Sequence, residues 1–252
     1  MKDVVLLDKP VSYTPLQAIE EFKKENPKYN DEKMSYAGRL DPMAEGLLVC
    51  LVGKENKNRE KYQKLDKTYE FEILFGLATD TYDVMGLLQN EPKKLPENLD
   101  QKIKNNLDQF RGKFKQKFPP YSSYRIDGKP LFWWARENKL DEIELPEKEV
   151  EVKKLKYNGI CEKNIDKVVR NVVERVEQVQ GDFRQEKIIE KWRKLKEKYT
   201  DYIFKIGKFK TKVSSGTYVR GIADRLGKEI EALGLAWRIK RFSVGKFSLK
   251  QI

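Results

Sequence analysis

An aspartate lies in an unusual setting in the loop from Tyr36 to Gly46, which reads Tyr-Ala-Gly-Arg-Leu-Asp-Pro-Met-Ala-Glu-Gly. Asp41 stands between a leucine and a proline, and an uninterrupted apolar run, 47–52, comes directly after the loop. A carboxylate can act as a nucleophile that forms and releases a covalent adduct without a metal or a redox group. Asp41 could equally cap backbone amides in a turn before Pro42, so the loop by itself leaves both roles open.

The other residue types narrow the available chemistry. The sequence contains no histidine, and histidine is the usual side chain that titrates near neutral pH. Ser-His-Asp and Cys-His catalysis are therefore excluded. Cys50 and Cys161 lack Cys-x-x-Cys spacing, so we expect neither a disulfide framework nor a metal site. Any catalysis must use carboxylate, tyrosine, lysine, arginine or cysteine groups.

The charge balance indicates the kind of partner. The 252-residue chain carries 52 Lys and Arg against 40 Asp and Glu, a net charge of +12, which favours a nucleic acid partner. No apolar run approaches the roughly 20 residues that span a bilayer, and the N-terminal residues do not resemble a signal peptide. We expect a globular, cytoplasmic protein with no membrane partner.

Strands and helices alternate along the chain without internal repeats. Apolar runs and period-two alternation predict strands at 4–7, 47–52, 67–76, 150–157, 202–213 and 237–247. Apolar residues at helical spacing predict helices at 14–26, 99–110, 130–138 and 217–233. The first helix should begin at Thr14, with Pro15 in its first turn.

The segment 161–200 differs from the rest because it contains two consecutive amphipathic helices, separated near Gly181 and Asp182. It is predicted to be a helical hairpin inserted between two strands. A self-packed excursion with a solvated charged face is one interpretation. Contact with RNA is the other, because basic residues outnumber acidic ones in this segment.

Several motifs around the Asp41 loop occur in a fixed order. They are Leu6–Pro10, Asp66–Tyr69, Gly76–Asp83, Tyr121–Tyr124 with Gly128–Leu131, Ser215–Arg220 and Lys240–Val244. Each motif alone is weak, but together and in this order they resemble the TruB family of pseudouridine synthases. The resemblance covers nearly the whole chain outside the hairpin.

The resemblance implies isomerisation of the T-loop uridine (uridine-55) of tRNA. The N-glycosidic bond is broken, the ring is rejoined through carbon, and no cofactor is required. Asp41 matches the family's catalytic aspartate, a nucleophile toward the ribose or the base. Arg220 matches the arginine that pairs with this aspartate and would keep it ionised. Tyr69 matches the tyrosine that stacks on the target base and could abstract a proton.

Other matching positions concern binding of the substrate. Tyr218 and Ile239 match residues that line the uridine pocket, although both could simply pack in the core. Lys9 and Asp80 match polar positions near the site, although charged loop residues are usually just solvated.

A base in a structured loop must be flipped out to react, which costs a few kcal/mol. Aromatic and basic side chains interleave at 121–125 and 132–136, which is typical of contacts with unstacked bases and RNA backbone. We therefore expect these two stretches to contact the T arm.

The sequence departs from the family pattern at two places. Relatives usually carry a histidine where this chain has Tyr36, and that histidine helps to stabilise the flipped-out arrangement of the tRNA. A tyrosine can still stack and donate one hydrogen bond, so we expect activity to survive. Relatives also usually continue into a PUA domain, which we do not expect here because the sequence ends at Ile252. The hairpin 161–200 is a candidate replacement for its tRNA contact.

The resemblance predicts one α+β catalytic domain, 1–252, with the pseudouridine synthase fold: a mixed, mainly antiparallel sheet flanked by helices, with the inserted hairpin. It also suggests a monomer. Two alternative functions remain. One is a non-catalytic RNA-binding or tRNA-folding protein, and the other is an enzyme with the same chemistry that acts on another RNA stem-loop. A carboxylate hydrolase that pairs Asp41 with Asp80 or Asp83 is a more distant alternative.

Overall fold

Strands and helices alternate along residues 3–252, the part of the chain that the computed structural model describes. The strands are β1 (Val4–Lys9), β2 (Met34–Tyr36), β3 (Ala44–Val52), β4 (Lys67–Phe75), β5 (Gly112–Lys117), β6 (Arg125–Ile126), β7 (Lys129–Pro130), β8 (Glu147–Asn164), β9 (Ile203–Val213), β10 (Gly234–Val244) and β11 (Phe247–Ser248). The α-helices are α1 (Pro15–Glu25), α2 (Arg59–Gln63), α3 (Leu99–Asn106), α4 (Leu131–Arg136), α5 (Ile165–Glu177), α6 (Gln185–Lys198) and α7 (Val219–Glu229).

One large sheet organises the fold, with the strand order β1-β3-β10-β4-β9-β8-β5. Strand β2 pairs with β3, and β11 pairs with β10. Among the paired strands of this sheet, β10 and β3 run parallel and the others run antiparallel. The expectation of an α+β fold with a mixed, mainly antiparallel sheet is confirmed.

The two faces of the central strands bury different cores because strand side chains alternate between faces. Phe71, Ile73 and Phe75 of β4 pack on α3 and α7 in one cluster. Leu74 of the same strand packs on α5 and α6 in a second cluster. The sheet is therefore covered by helices on both sides.

Local sequence signals fix the first helix as predicted. Thr14 caps α1: its hydroxyl accepts a hydrogen bond from the Gln17 backbone N–H at 3.2 Å, and the Gln17 side chain accepts one from the Thr14 backbone N–H at 2.7 Å. This reciprocal capping satisfies two backbone donors that a helix start leaves unpaired. Pro15 occupies the first turn, where its missing N–H costs nothing.

The helices α5 and α6 do not pack only on each other, so the interpretation of the hairpin as a self-packed unit was wrong. Its apolar stripe, which includes Val172 and the fully buried Trp192, joins Phe204, Ile206 and Trp237 of the sheet in the second core cluster. The sheet therefore supplies part of the surface that covers this stripe.

The start of the hairpin also differs from the predicted 161–200. Strand β8 continues to Asn164, and its last residues, from Cys161 onward, pair with β9. The predicted strand, 150–157, ends before this point. Instead, the pairing register shifts between Tyr157 and Ile160, and Gly159 takes up the left-handed φ of +96°. Asn158 and Gly159 therefore form a bulge in β8, and the strand continues beyond it.

Strand β5 was not predicted. Its sequence, Gly-Lys-Phe-Lys-Gln-Lys, is mostly exposed and lies at the edge of the sheet, so its apolar pattern is weak. Among the helices of residues 3–252, none has the length and apolar character needed to cross a membrane.

Candidate active site

The loop that carries Asp41 connects β2 to β3, and Arg241 of β10 stabilises it through hydrogen bonds to its backbone. The buried Arg241 guanidinium donates hydrogen bonds to three backbone carbonyl oxygens, those of Leu47 at 2.7 Å, Gly38 at 3.1 Å and Arg39 at 3.3 Å. A planar guanidinium with several donors suits this role better than an ammonium. The loop conformation is therefore fixed from both ends, so the position of Asp41 is fixed as well.

Arg220 lies in the first turn of α7 and contacts Asp41 directly. Its Nε donates a hydrogen bond to Oδ2 of Asp41 at 2.9 Å. The Arg220 side chain is 3% exposed, whereas that of Asp41 is 31% exposed. Burial alone would lower the pKa of Arg220, but the carboxylates of Asp41 and Asp83 outweigh burial and raise this pKa. The arginine is a permanent buried cation and the aspartate is its partner at the surface of a cavity.

The remaining Arg220 donors hold two other segments. Nη1 donates to the backbone oxygen of Thr81 at 2.5 Å, and Nη2 donates to that of Tyr121 at 3.0 Å. All three nitrogen atoms are thus engaged, which fixes the plane of the guanidinium.

The cavity beside Asp41 has a volume of about 870 Å³. Tyr36, Asp41, Tyr69, Tyr218, Arg220 and Ile239 all line it, so the structure brings together six of the eight predicted site residues. Tyr69 of β4 and Ile239 of β10 both belong to the first core cluster, and Ile239 is paired with Phe71, two residues after Tyr69. Burial, followed by the nearby Asp41 carboxylate, raises the pKa of the Tyr218 phenol.

Lys9, which was predicted to lie near the substrate, is not among the residues that line the cavity. It lies at the end of β1, fully buried behind the Asp41 loop. Its Nζ donates to the backbone oxygens of Tyr13 at 2.6 Å, Pro10 at 2.8 Å and Pro42 at 3.5 Å. Lys9 therefore supports the loop from inside the protein.

Asp80 does not line the cavity either. Its carboxylate accepts two hydrogen bonds from Arg184, at 2.6 and 3.2 Å, and one from the Leu87 backbone N–H at 2.8 Å. With its oxygens engaged in this way, Asp80 is a structural anchor next to the cavity wall.

Asp83 lines the cavity, although it was considered only as a partner in a hydrolase. Its buried carboxyl accepts hydrogen bonds from the Thr81 hydroxyl at 2.7 Å and the Met85 N–H at 3.0 Å. Burial raises the pKa of this carboxyl, and the Arg220 cation opposes that shift. From the motif Gly76–Asp83 we predicted Asp80 as the site residue, whereas Asp83 is the aspartate of this motif that lines the cavity.

The turn between α5 and α6 forms one wall of the cavity, which no sequence pattern predicted. Asp182, Phe183 and Arg184 all line the cavity, together with Phe132 and Arg136 of α4.

Within residues 3–252, no cluster of three or more acidic, cysteine or histidine side chains is arranged to hold a metal ion.

Comparison with known proteins assigns the family. Residues 26–178 match the profile of the family described as "TruB family pseudouridylate synthase (N terminal domain)". The tRNA pseudouridine synthase B of Endomicrobium trichonymphae is 30% identical over 250 residues, which cover 98% of this chain and 86% of that protein. The enzyme of the same name from Aquifex aeolicus (strain VF5) is 28% identical over 251 residues, which cover 100% of this chain and 71% of that protein.

Solved structures show the same fold. The crystal structure of a Cbf5-Nop10-Gar1 complex contains a chain that matches 97% of this protein with a TM-score of 0.58 and 17% identity. An H/ACA RNP bound to a substrate RNA containing 2'-deoxyuridine matches 97% with a TM-score of 0.55 and 16% identity. This protein spans about half of each of those chains, 49% and 48%. With a matching family profile over residues 26–178 and relatives that align along almost its whole length, the chain belongs to the TruB family of pseudouridylate synthases.

Proposed function

We propose that this protein isomerises the T-loop uridine (uridine-55) of tRNA to pseudouridine, with Asp41 as the nucleophile. The observation that carries the proposal is the 2.9 Å contact between Arg220 and Asp41 at the wall of a cavity that Tyr69 also lines. A non-catalytic RNA-binding protein has no need for a buried cation that orients a carboxylate toward a cavity.

In the proposed reaction, Asp41 attacks the ribose or the base and forms a transient covalent adduct. The bond between ribose C1′ and base N1 breaks, the uracil turns, and a bond forms between C1′ and base C5. The proton leaves C5, N1 gains a proton, and Asp41 is released unchanged, so the reaction needs no oxidant or co-substrate. Arg220 holds the carboxylate through its Nε hydrogen bond and directs it toward the reacting atoms.

Tyr69 is proposed to stack on the uracil and to take part in removing the C5 proton. The residue is 7% exposed, and it lines the cavity together with Ile239 of the neighbouring strand β10. Tyr218 and Ile239 would hold the other side of the ring. A pocket of aromatic and aliphatic walls accepts a flat base and excludes water.

Recognition of the T arm is proposed to use the surface beside the cavity. Phe132 is 38% exposed and Tyr124 is 43% exposed, which is unusual for large aromatic residues. Arg136 lies close by on α4. Exposed rings and cations together suit unstacked bases and RNA backbone. We further propose that the protein acts as a monomer, in the cytoplasm, where its tRNA substrate is found.

The proposal is tested by treating an unmodified tRNA transcript with the protein and measuring pseudouridine by nucleoside chromatography. We expect pseudouridine at the T-loop uridine with the wild type, and none with Asp41→Asn. Asp31→Asn is the matched control, because Asp31 is an exposed carboxylate outside the cavity and its change should leave the yield unaltered.

Other results would assign other functions. Tight binding of the tRNA without pseudouridine would favour the RNA-binding protein. Pseudouridine in a ribosomal or messenger RNA stem-loop, but not in tRNA, would favour the same chemistry on another substrate. Pseudouridine formation by Asp41→Asn at the wild-type rate would show that Asp41 is not the nucleophile.

A further inference from the structure

The turn between α5 and α6 brings an arginine to the segments that surround the catalytic ion pair. We define the hairpin tip as Asp182, Phe183 and Arg184. Nη1 of Arg184 donates to Oδ2 of Asp80 at 2.6 Å and to the Tyr121 hydroxyl at 2.7 Å, and Nη2 donates to Oδ1 of Asp80 at 3.2 Å. The guanidinium carbon also lies 4.2 Å from the centre of the Tyr121 ring. One side chain of the hairpin therefore bridges two distant parts of the catalytic domain.

These are the same two segments that hold Arg220. The backbone oxygens of Thr81, which follows Asp80, and of Tyr121 accept hydrogen bonds from Arg220. Arg220 thus binds both segments through their carbonyl groups, and Arg184 binds both through their side chains. Any separation of the two segments would remove acceptors from Arg220 and change its orientation toward Asp41.

The geometry of Arg184 argues against a free RNA-binding cation. The side chain is 17% exposed, and its partner Asp80 is 20% exposed. Its guanidinium is already paired with a carboxylate, a hydroxyl and an aromatic face. The backbone φ of Arg184 is +63°, a left-handed conformation that a residue with a Cβ seldom adopts. These features indicate that the Arg184 side chain has a structural role and is held in one position.

A second contact joins the hairpin to the other side of the site. The Ser12 hydroxyl donates to the backbone oxygen of Arg175, near the end of α5, at 2.7 Å. The Ser12 backbone N–H donates to the oxygen of Pro42, the residue after Asp41, at 2.8 Å. The hairpin is therefore linked through Ser12 to the loop that carries Asp41, and through Arg184 to the segments that hold Arg220.

We propose that Arg184 is a positioning residue for the reaction, through which the hairpin holds Arg220 in place against Asp41. Its effect on catalysis rests on the proposed function, whereas its effect on the ion pair does not. The inserted hairpin is then a structural part of the active site, and its role is to keep the site rigid.

The test uses the full chain with Arg184→Gln, Arg184→Lys and the control Arg193→Gln. Arg193 lies on the same hairpin, is 60% exposed and makes one surface pair with Glu177. The first readout is solvent exchange of the Arg220 Nε proton, followed by NMR without RNA, with the signal assigned by its loss in Arg220→Lys. The second is the single-turnover rate of pseudouridine formation, and the third is the Kd for tRNA.

We expect Arg184→Gln to speed exchange of the Arg220 proton about tenfold and to slow the single-turnover rate about tenfold, because the buried hydrogen bond opens more often. The Kd for tRNA should change by less than about threefold, and Arg184→Lys should recover part of both effects. Arg193→Gln should match the wild type. Asp80→Asn combined with Arg184→Gln should be no slower than the worse single variant, because the two residues act through one contact.

Several results would overturn the proposal. Unchanged exchange in Arg184→Gln would exclude positioning, whether or not the wild type acts on tRNA. A weaker Kd with an unchanged single-turnover rate would make Arg184 an RNA contact. Backbone amide spectra identify a variant that has lost its fold, in which case Arg184→Lys supplies the comparison. If the wild type were inactive on tRNA while Arg184→Gln still sped up exchange of the Arg220 proton, the proposed function would be refuted and the positioning role of Arg184 would remain supported.

Discussion

Nε of Arg220 lies 2.9 Å from Oδ2 of Asp41, and the two residues are 179 positions apart in the sequence. The arginine comes from the first turn of α7 and the aspartate from the loop before β3. The parallel pairing of β10 with β3 places Ile239 beside Ala44, near the end of the Asp41 loop. The sheet thus brings the two charged residues together.

Replacing Arg220 with lysine should reduce catalysis much more than RNA binding. Lysine keeps the charge but cannot reach Asp41, Thr81 and Tyr121 with fixed planar donors. We expect Arg220→Lys to lower the single-turnover rate by about 10²- to 10³-fold, with the tRNA Kd within about threefold of wild type. Arg225→Lys is the control, because Arg225 lies on the same helix, is 38% exposed and does not line the cavity. A rate within twofold of wild type would contradict the role given to Arg220.

Much of the fold and of the site was predictable, because local signals and family motifs both point to it. Period-two alternation located β4 and β9, and the Thr14 cap located α1. Asp41, Arg220 and Tyr69 occur in motifs that could be matched position by position. The cavity then joins residues that are far apart in the sequence.

The parts that were not predicted depend on long-range contacts. The stripe of α5 and α6 showed that these helices bury one side, but no local pattern says that the covering surface is the sheet. The same limit applies to Arg184, whose partners Asp80 and Tyr121 lie 104 and 63 positions away. Lys9 was predicted as a polar residue near the substrate, with a solvated loop residue as the alternative, and full burial was expected by neither because a fully buried lysine is rare.

Gly46 should not tolerate alanine. Its φ is +103°, and an added Cβ would lie 2.4 Å from the backbone oxygen of Arg241 on the neighbouring strand. Neither strand can move without breaking the pairing beneath the Asp41 loop. We expect Gly46→Ala to lower the free energy of unfolding by about 3 kcal/mol, from backbone strain and overpacking together.

The comparison for Gly46 is Gly128→Ala, where φ is +75° but no atom lies within 4 Å of the added Cβ. This variant carries the backbone strain alone, so it should lose only about 1 kcal/mol. Urea unfolding measures both values. If the two variants lost the same free energy of unfolding, the close contact between the added Cβ and Arg241 would contribute nothing to the loss.

Trp192 should be essential for the attachment of the hairpin to the sheet. It is fully buried in the second core cluster. Trp192→Ala should cost about 3–5 kcal/mol of unfolding free energy, because it leaves a large cavity. The indole N–H finds no hydrogen-bond partner among residues 3–252. Trp192→Phe removes that unpaired donor, and it should therefore cost only about 1–2 kcal/mol.

The unfolding transition of these variants also tests the packing of the hairpin. Because the hairpin shares its core with the sheet, helix loss and exposure of the other tryptophans should coincide in one transition, in the wild type and in Trp192→Phe alike. Circular dichroism and fluorescence followed in the same titration compare the two. A separate early loss of helix would indicate a hairpin that unfolds by itself.

Lys9 should make stability depend on pH in the alkaline range. Burial lowers the pKa of its ammonium group from 10.5 to about 7, although the nearby Asp41 carboxylate opposes the shift. Between these two values the unfolded chain binds a proton that the folded protein has released, so the free energy of unfolding rises with pH. The slope from one such group is at most about 1.4 kcal/mol per pH unit. Below pH 7 both states are protonated and the destabilisation is complete.

Lys9→Met removes this titration and is the matched variant. The difference in unfolding free energy between wild type and Lys9→Met should shift in favour of the wild type as the pH rises from 7 to 9. The pKa of Lys67 is also lowered by burial, to about 8, but Lys67 is present in both proteins and its contribution cancels. Urea titrations at several pH values give the difference. A difference that stays constant with pH would mean that Lys9 remains charged in the folded protein.

Tyr36 should contribute to RNA binding through its ring. It lines the cavity, its hydroxyl accepts a hydrogen bond from Arg39 at 3.2 Å, and the Arg59 guanidinium lies 5.6 Å from the ring centre. Stacking of a base on an aromatic ring contributes about 1–3 kcal/mol, so Tyr36→Ala should raise the tRNA Kd about tenfold. Tyr36→Phe keeps the ring, and its Kd should stay within about threefold of wild type. Tyr199→Ala, outside the cavity, is the control, and fluorescence anisotropy with labelled tRNA gives each Kd. If Tyr36→Phe weakened binding as much as Tyr36→Ala, the hydroxyl and its contact with Arg39 would be what the RNA requires at the position where relatives usually carry histidine.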